Sequence, residues 1–223
     1  PCFNEEKTIE QIVKKILQQK KLIYEIIIVD DHSTDLSKKI IKNLSKNNQI
    51  IKTFFKDKNE GKGSALRKGF EISSGDIVLI QDADLEYDPS EYNKLIKPFI
   101  EGNADVVYGS RFLGGEYIRL HFFWHYIANK ILTFFCNMVT NLNMTDMETG
   151  YKLIKREHLN KLIIKEKSFG VEPELTVKLA KKNLIFYEVP ISYNGRSYSD
   201  GKKIGLKDAF VAIYSIFYYR IFD

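Results

Sequence analysis

Apolar positions change their spacing repeatedly between residues 5 and 112. In residues 5–19, Ile9, Ile12, Val13, Ile16 and Leu17 recur at three- and four-residue intervals, which puts them on one face of a helix. Asn4 and Thr8 are candidate caps for that helix. YEIIIVDD (24–31) is then a continuous apolar run, the pattern of a strand buried on both faces. The alternation continues with a capped helix (33–46), a strand (50–56), a glycine loop and helix (61–75), a strand (76–84), a helix (89–102) and a strand (104–112). A βαβα order of this kind predicts an α/β fold with a mostly parallel central sheet and helices on both faces.

The second half departs from this rhythm. An aromatic-rich helical segment (121–142) precedes TGYKLIKR (149–156), a helix near 172–182, a strand (185–193), a basic glycine loop (194–205) and a final helix. No repeat, low-complexity tract or linker interrupts the chain, so residues 1–223 are expected to form one domain, divided near residue 115. PCFNEEKTI reads as the exit of a strand and the start of a helix, so a first strand is expected ahead of Pro1.

Composition adds little. The chain has 223 residues, 44% hydrophobic and 28% charged, an ordinary globular balance. Its net charge of +5 suits an anionic substrate or an anionic membrane surface, and no nucleic-acid partner is expected. Cys2 and Cys136 have no metal-binding spacing and read as reduced, buried thiols. The apolar stretches 117–140 and 206–222 carry polar residues every few positions, unlike a spanning helix.

Candidate chemistry gathers at strand ends, where sheets of this type bind ligands. Asp30-Asp31, Asp82-Ala83-Asp84 with Glu86, and Ser110-Arg111 all fall there. Alternate residues on an extended chain share a side, so Asp82 and Asp84 can turn to one ligand. A hard divalent cation with positions left for phosphate suits such oxygen donors; a helix cap or solvated loop is the plainer reading. Asp30 can accept from a ribose hydroxyl or a base N–H, or belong to a capping loop with Asp31. Arg111 can grip a phosphate through two nitrogens, or form a surface salt bridge. NEGKGSA (59–65) lacks the residue order of a Walker A loop. His125 and Asn129 share a helix face.

Taken in order, PCFNEE, VDDHSTD, NEGKGSALRKGF, DADLEYDP and GSRF resemble family 2 glycosyltransferases. DMETGYKLIKRE, FGVEPELT and YNGRSYSDGKKIG are most similar to the polyprenyl-phosphate (dolichol-phosphate) mannosyltransferase-like branch. The resemblance implies a Rossmann-like type A glycosyltransferase fold, with a nucleotide-sugar-binding half (1–115) and an acceptor-binding half (116–223). It implies donor contacts from Pro1, Phe3, Glu5, Asp30, Lys62, Gly63, Asp82, Ala83, Asp84, Arg196 and Lys202. Mg²⁺ or Mn²⁺ would sit on Asp82, Asp84 and Glu86, and Arg111, His125 and Asn129 would receive the acceptor. Asp84, Arg111 and Arg196 would carry catalysis. His32 stands where the family usually has glycine or another small residue.

The expected reaction is inverting transfer of a hexose from GDP-mannose or UDP-glucose to a polyprenyl phosphate, at the cytoplasmic face of a membrane. A hydroxyl acceptor, with Asp146 or Glu148 as base, and a non-catalytic nucleotide-sugar-binding protein are the alternatives. Oligomeric state is not determined by the sequence.

Overall fold

The computed structural model describes residues 1–114, 122–168, 170–195 and 206–223. The alternation expected from the apolar pattern is present: α1 (Ile9–Gln18), β1 (Ile26–Asp30), α2 (Ser37–Asn47), β2 (Ile51–Phe55), α3 (Lys62–Ile72) and β3 (Ile77–Leu79). A 3₁₀ turn (Pro89–Glu91) leads into α4 (Tyr92–Glu101) and β4 (Val106–Ser110). The second half holds α5 (Phe123–Thr140), β5 (Lys152–Lys155), α6 (Arg156–Leu159), α7 (Val171–Ala180), β6 (Phe186–Pro190) and α8 (Leu206–Ile221).

The α/β class and the mostly parallel sheet hold, with one strand reversed. β1 and β2 pair in parallel as one unit, and a four-stranded sheet runs in the order β3-β5-β4-β6. β5 enters it antiparallel to both β3 and β4, while β4 and β6 are parallel. The partners of β5 are dozens of residues away, so no local pattern in YKLIKR announces its direction. Successive side chains of β4 and β5 point to opposite faces. Val107 and Leu153 join one core with Ile12, Ile28 and Leu95, whereas Val106, Tyr108 and Ile154 join another with Leu132, Leu175 and Ile216.

Cys2 runs parallel to the end of β1: its amide donates to the Val29 carbonyl at 2.9 Å, and the Asp31 amide donates to its carbonyl at 2.8 Å. β1 and β3 belong to separate sheets. Between them lies an apolar cavity of about 370 Å³, with Ile28, Val29, Leu79, Ile80, Pro1 and Asp82 in its wall. Both cysteines are free and buried, as expected. Burial pushes each thiol up to about 12.

Candidate active site

β1 delivers Asp30 and Asp31 to one turn, and the turn separates their roles. Asp30 Oδ2 accepts from the Ser33 amide at 3.1 Å. Its Oδ1 is buried with no hydrogen-bond partner among the described residues. A buried acceptor left unpaired costs about 1–3 kcal/mol, so this oxygen marks a place for a ligand N–H or O–H. Asp31 is committed internally: Lys56 Nζ donates to Oδ1 at 2.6 Å and the Gly61 amide to Oδ2 at 2.6 Å. Next to it, His32 has a φ of 65°. That left-handed conformation costs an ordinary residue about 1 kcal/mol, and glycine adopts it freely.

Pro1, Phe3 and Glu5 lie along the same turn. The Asn4 amide donates to Ser33 Oγ at 3.0 Å and the Glu5 amide to Ser37 Oγ at 2.8 Å. Phe3 is exposed, and the Glu5 carboxylate accepts from the Thr8 hydroxyl at 2.6 Å.

Lys62 opens α3, and Glu172 sits in the first turn of α7. Lys62 Nζ lies 3.0 Å from Asp82 Oδ1 and 2.9 Å from Glu172 Oε1. Burial works against the ammonium charge, but Asp82 and Glu172 outweigh it and hold Lys62 well above the usual lysine range. Gly63 is turned elsewhere: its amide donates to the Lys167 carbonyl at 2.9 Å. A Cβ there would lie 2.2 Å from the Glu166 carbonyl oxygen. The close approach of α3 to the 166–167 backbone accounts for the glycine, and its amide is taken up there. Ala83 packs in the core.

β3 ends at Leu79, earlier than the apolar run implied; Asp82 follows it in irregular chain and Asp84 lies in the bend at 83–87. Strand alternation is thus not what orients them. The Glu86 amide donates to Asp84 Oδ1 at 3.2 Å, and the Tyr193 hydroxyl donates to Glu86 Oε2 at 2.9 Å. No cluster of three or more His, Cys, Asp or Glu among the described residues is arranged to hold a metal ion. Of the expected set of Asp82, Asp84 and Glu86, Glu86 is the one held by a tyrosine, through the Tyr193 hydroxyl on Oε2. Two carboxylates still fit a divalent cation, since Mg²⁺ is commonly held by one or two carboxylates plus substrate phosphates. Lys62 already places a positive charge on Asp82, so a divalent cation bound there must displace the ammonium.

Arg111 leaves the end of β4 and meets Asp146 in a bidentate pair, with Nε to Oδ2 and Nη2 to Oδ1 both at 2.7 Å. The Arg111 amide and the Asn129 side-chain amide complete the set around Asp146, at 3.0 and 3.1 Å. Burial alone would raise the Asp146 carboxyl, but Arg111 outweighs it and holds the group below the usual range. The guanidinium also lies 5.1 Å from the Tyr193 ring centre. Asn129 therefore joins Arg111, whereas His125, one turn earlier on α5, is exposed against Phe122.

Behind these groups, Glu148 Oε1 and Glu172 Oε2 are buried without hydrogen-bond partners among the described residues. Burial first, and then the charge of Glu172, push Glu148 up to about 8. Lys152 is lowered by burial and donates to the Thr149 carbonyl. Glu174 is structural: its two oxygens accept from the Lys165 and Glu166 amides, each at 2.7 Å. Arg196 and Lys202 lie outside the described residues. Three partnerships were not legible in the sequence: Asp146 with Arg111, Glu172 with Lys62, and Gln81 with the hydroxyls of Tyr92 and Tyr151, both at 2.8 Å. Each joins distant elements, and no local spacing signals it.

The architecture is that of the type A nucleotide-diphospho-sugar transferases. It superposes on solved glucosyl-3-phosphoglycerate synthase from Mycobacterium tuberculosis with a TM-score of 0.74 at 20% identity, covering 99% of this chain and 76% of that one. That crystal contains Mn²⁺ and uridine-diphosphate-glucose. Residues 1–163 match the family model for glycosyl transferase family 2, and the chain belongs to that family. It is a glycosyltransferase that draws on a nucleotide-sugar donor.

Relatives include an uncharacterized protein of Methanocaldococcus jannaschii, 30% identical over 92% of each chain. The dolichol-phosphate mannosyltransferase of Pyrococcus furiosus is 26% identical over 92% of this chain and 58% of its own length. A low-salt glycan biosynthesis hexosyltransferase of Haloferax volcanii is 29% identical over 88% of this chain and 47% of its own length. The chain thus spans about half the length of these last two relatives.

Proposed function

We propose that the protein transfers a hexose from a nucleoside-diphosphate sugar, GDP-mannose or UDP-glucose, to a polyprenyl phosphate, with inversion at the anomeric carbon. Asp30 accepts from the base or ribose through its unpaired Oδ1. Asp82 and Asp84 hold Mg²⁺ or Mn²⁺, which when bound neutralises the diphosphate as it departs. Arg196, with Lys202, supports the leaving nucleotide. Arg111 lies beside the acceptor phosphate, oriented by Asp146 and Asn129; His125 stands nearer solvent on the same helix.

The observation that carries this reading is the engagement of Asp146. A hydroxyl acceptor needs a base to remove its proton, whereas a phosphate is already ionised. Asp146 is spent on Arg111 and Asn129 and held at low pKa. Glu148 is mostly protonated at neutral pH. Neither is ready to act as a base. The dolichol-phosphate mannosyltransferase relative supports a lipid phosphate. So does the row of exposed aromatics Phe123, Trp124 and Phe134 on α5 and Phe210 and Tyr214 on α8, which suits peripheral contact with a membrane. No helix among the described residues is long and apolar enough to cross one.

The test is an assay of purified protein with each donor, Mn²⁺ or Mg²⁺, and radiolabelled polyprenyl phosphate. Label transferred into an organic-soluble sugar phosphate is expected. Transfer only to a glycan hydroxyl, or only to a small phosphorylated acid, would replace the lipid acceptor.

A further inference from the structure

We propose that Glu172 is a second seat for the Lys62 ammonium, so that Lys62 covers Asp82 while no divalent cation is bound and withdraws to Glu172 when one arrives. The proposal rests on reading Asp82 and Asp84 as the cation-holding pair, and it makes Lys62 and Glu172 positioning residues for that cation.

Lys62 Nζ is 3.0 Å from Asp82 Oδ1 and 3.1 Å from Oδ2, so it covers both oxygens of the carboxylate. A divalent cation binds carboxylate oxygen at about 2.0–2.6 Å. Two positive centres on one carboxylate repel strongly where water is scarce. The ammonium must therefore give way when a cation binds. Expelling it to solvent would strip the buried Glu172 of its ion-pair partner, which is costly. Glu172 removes that difficulty. Its Oε1 already contacts Nζ at 2.9 Å, and its Oε2 is buried without a partner among the described residues. The unpaired oxygen offers what the ammonium loses on leaving Asp82. A small rotation of the lysine stem between neighbouring acceptors suffices, because an ammonium has three donors and no fixed plane.

The two acids belong to different elements. Asp82 lies just after β3, and Glu172 in the first turn of α7. Lys62, the first residue of α3, is the cation that joins them. The arrangement keeps Asp82 neutralised in the resting protein without blocking the site permanently.

The experiment measures Mn²⁺ affinity by electron paramagnetic resonance, with UDP or GDP present, for the wild type and for E172Q, K62Q and the double variant. Removing the seat should weaken Mn²⁺ binding roughly ten-fold, the usual scale for a group that supports a metal ligand. K62Q, which keeps a hydrogen-bond donor without the charge, should bind Mn²⁺ at least as tightly as the wild type. The double variant should match K62Q, because without the ammonium no seat is needed. An unchanged affinity in E172Q, or a double variant as weak as E172Q, overturns the proposal. Thermal melts accompany each variant; if E172Q does not fold, Glu172→Asp takes its place with the same expected direction. D84N separates the two readings. If the wild type does not bind Mn²⁺, or D84N binds it equally well, the cation site itself is wrong; if D84N abolishes binding and E172Q changes nothing, only the seat is.

Discussion

A buried carboxylate needs an answering charge or proton, and the acids here find theirs in different ways. Asp146 has Arg111. Asp146→Asn leaves the guanidinium buried beside a neutral amide, a loss of about 3–5 kcal/mol. For a chain of this size that should lower Tm by roughly 10 °C, which differential scanning calorimetry would read. Glu148 is answered by a proton. Its folded pKa of about 8 lies above the ordinary 4.5, so the folded chain keeps a proton that the unfolded chain gives up. The stability tied to this group is full below about pH 4.5 and is lost as pH rises to about 8. The Tm of Glu148→Gln relative to wild type should therefore climb between pH 5 and 8, and a constant difference would count against the protonated state. Asp84→Asn should cut transfer by at least about a hundred-fold, the scale of losing electrostatic support for a leaving group, and steady-state turnover measures it.

Glycine placement at the start of α3 belongs to the scale of elements. Gly63 lets the helix touch the 166–167 backbone, and the obstruction facing an added Cβ is a carbonyl oxygen that cannot swing away. Gly63→Ala should cost about 2–3 kcal/mol through overpacking. It should loosen α3 from α7 and so disturb Lys62 and Glu172 together, visible as a lower denaturation midpoint. α5 and α8 present a different surface. Trp124 is 76% exposed and Phe134 63% exposed, beside the exposed aromatics of α8. Replacing both with Glu should lower sedimentation with anionic phospholipid vesicles while leaving Tm nearly unchanged, because neither side chain supports the core. Equal sedimentation would remove the membrane role of this face.

At the scale of the whole molecule, the separation of β1 from β3 has a physical consequence. Among the described residues both strands turn largely unpaired edges to a cavity of about 370 Å³ walled by apolar side chains. Cys2 already runs parallel to β1 at one end. An extended apolar segment joined ahead of Pro1 would continue that line and pair with both edges. Adding about five strand-forming residues there should raise Tm by several degrees, since each kcal/mol is worth about 2–4 °C in a domain of this size. No change in Tm would show that the cavity does not take a strand.

The alternation of apolar periods determined by itself that the chain is α/β, where most elements lie, and that acids cluster at strand ends. Those features depend on neighbours in sequence: one helix face, one buried run, one turn. The motif order was enough to point to the family. Tertiary structure decided the rest, because the deciding contacts join distant residues. β5 could enter the sheet antiparallel only once β3 and β4 were present. Arg111 found Asp146 across 35 residues, and this joined a candidate phosphate ligand to an acid whose role the sequence left open. Lys62 met Glu172 only because the start of α3 lies against the segment leading into α7. Charges near one another in sequence reveal a site, but their partners, and so their chemistry, are fixed by which elements pack together.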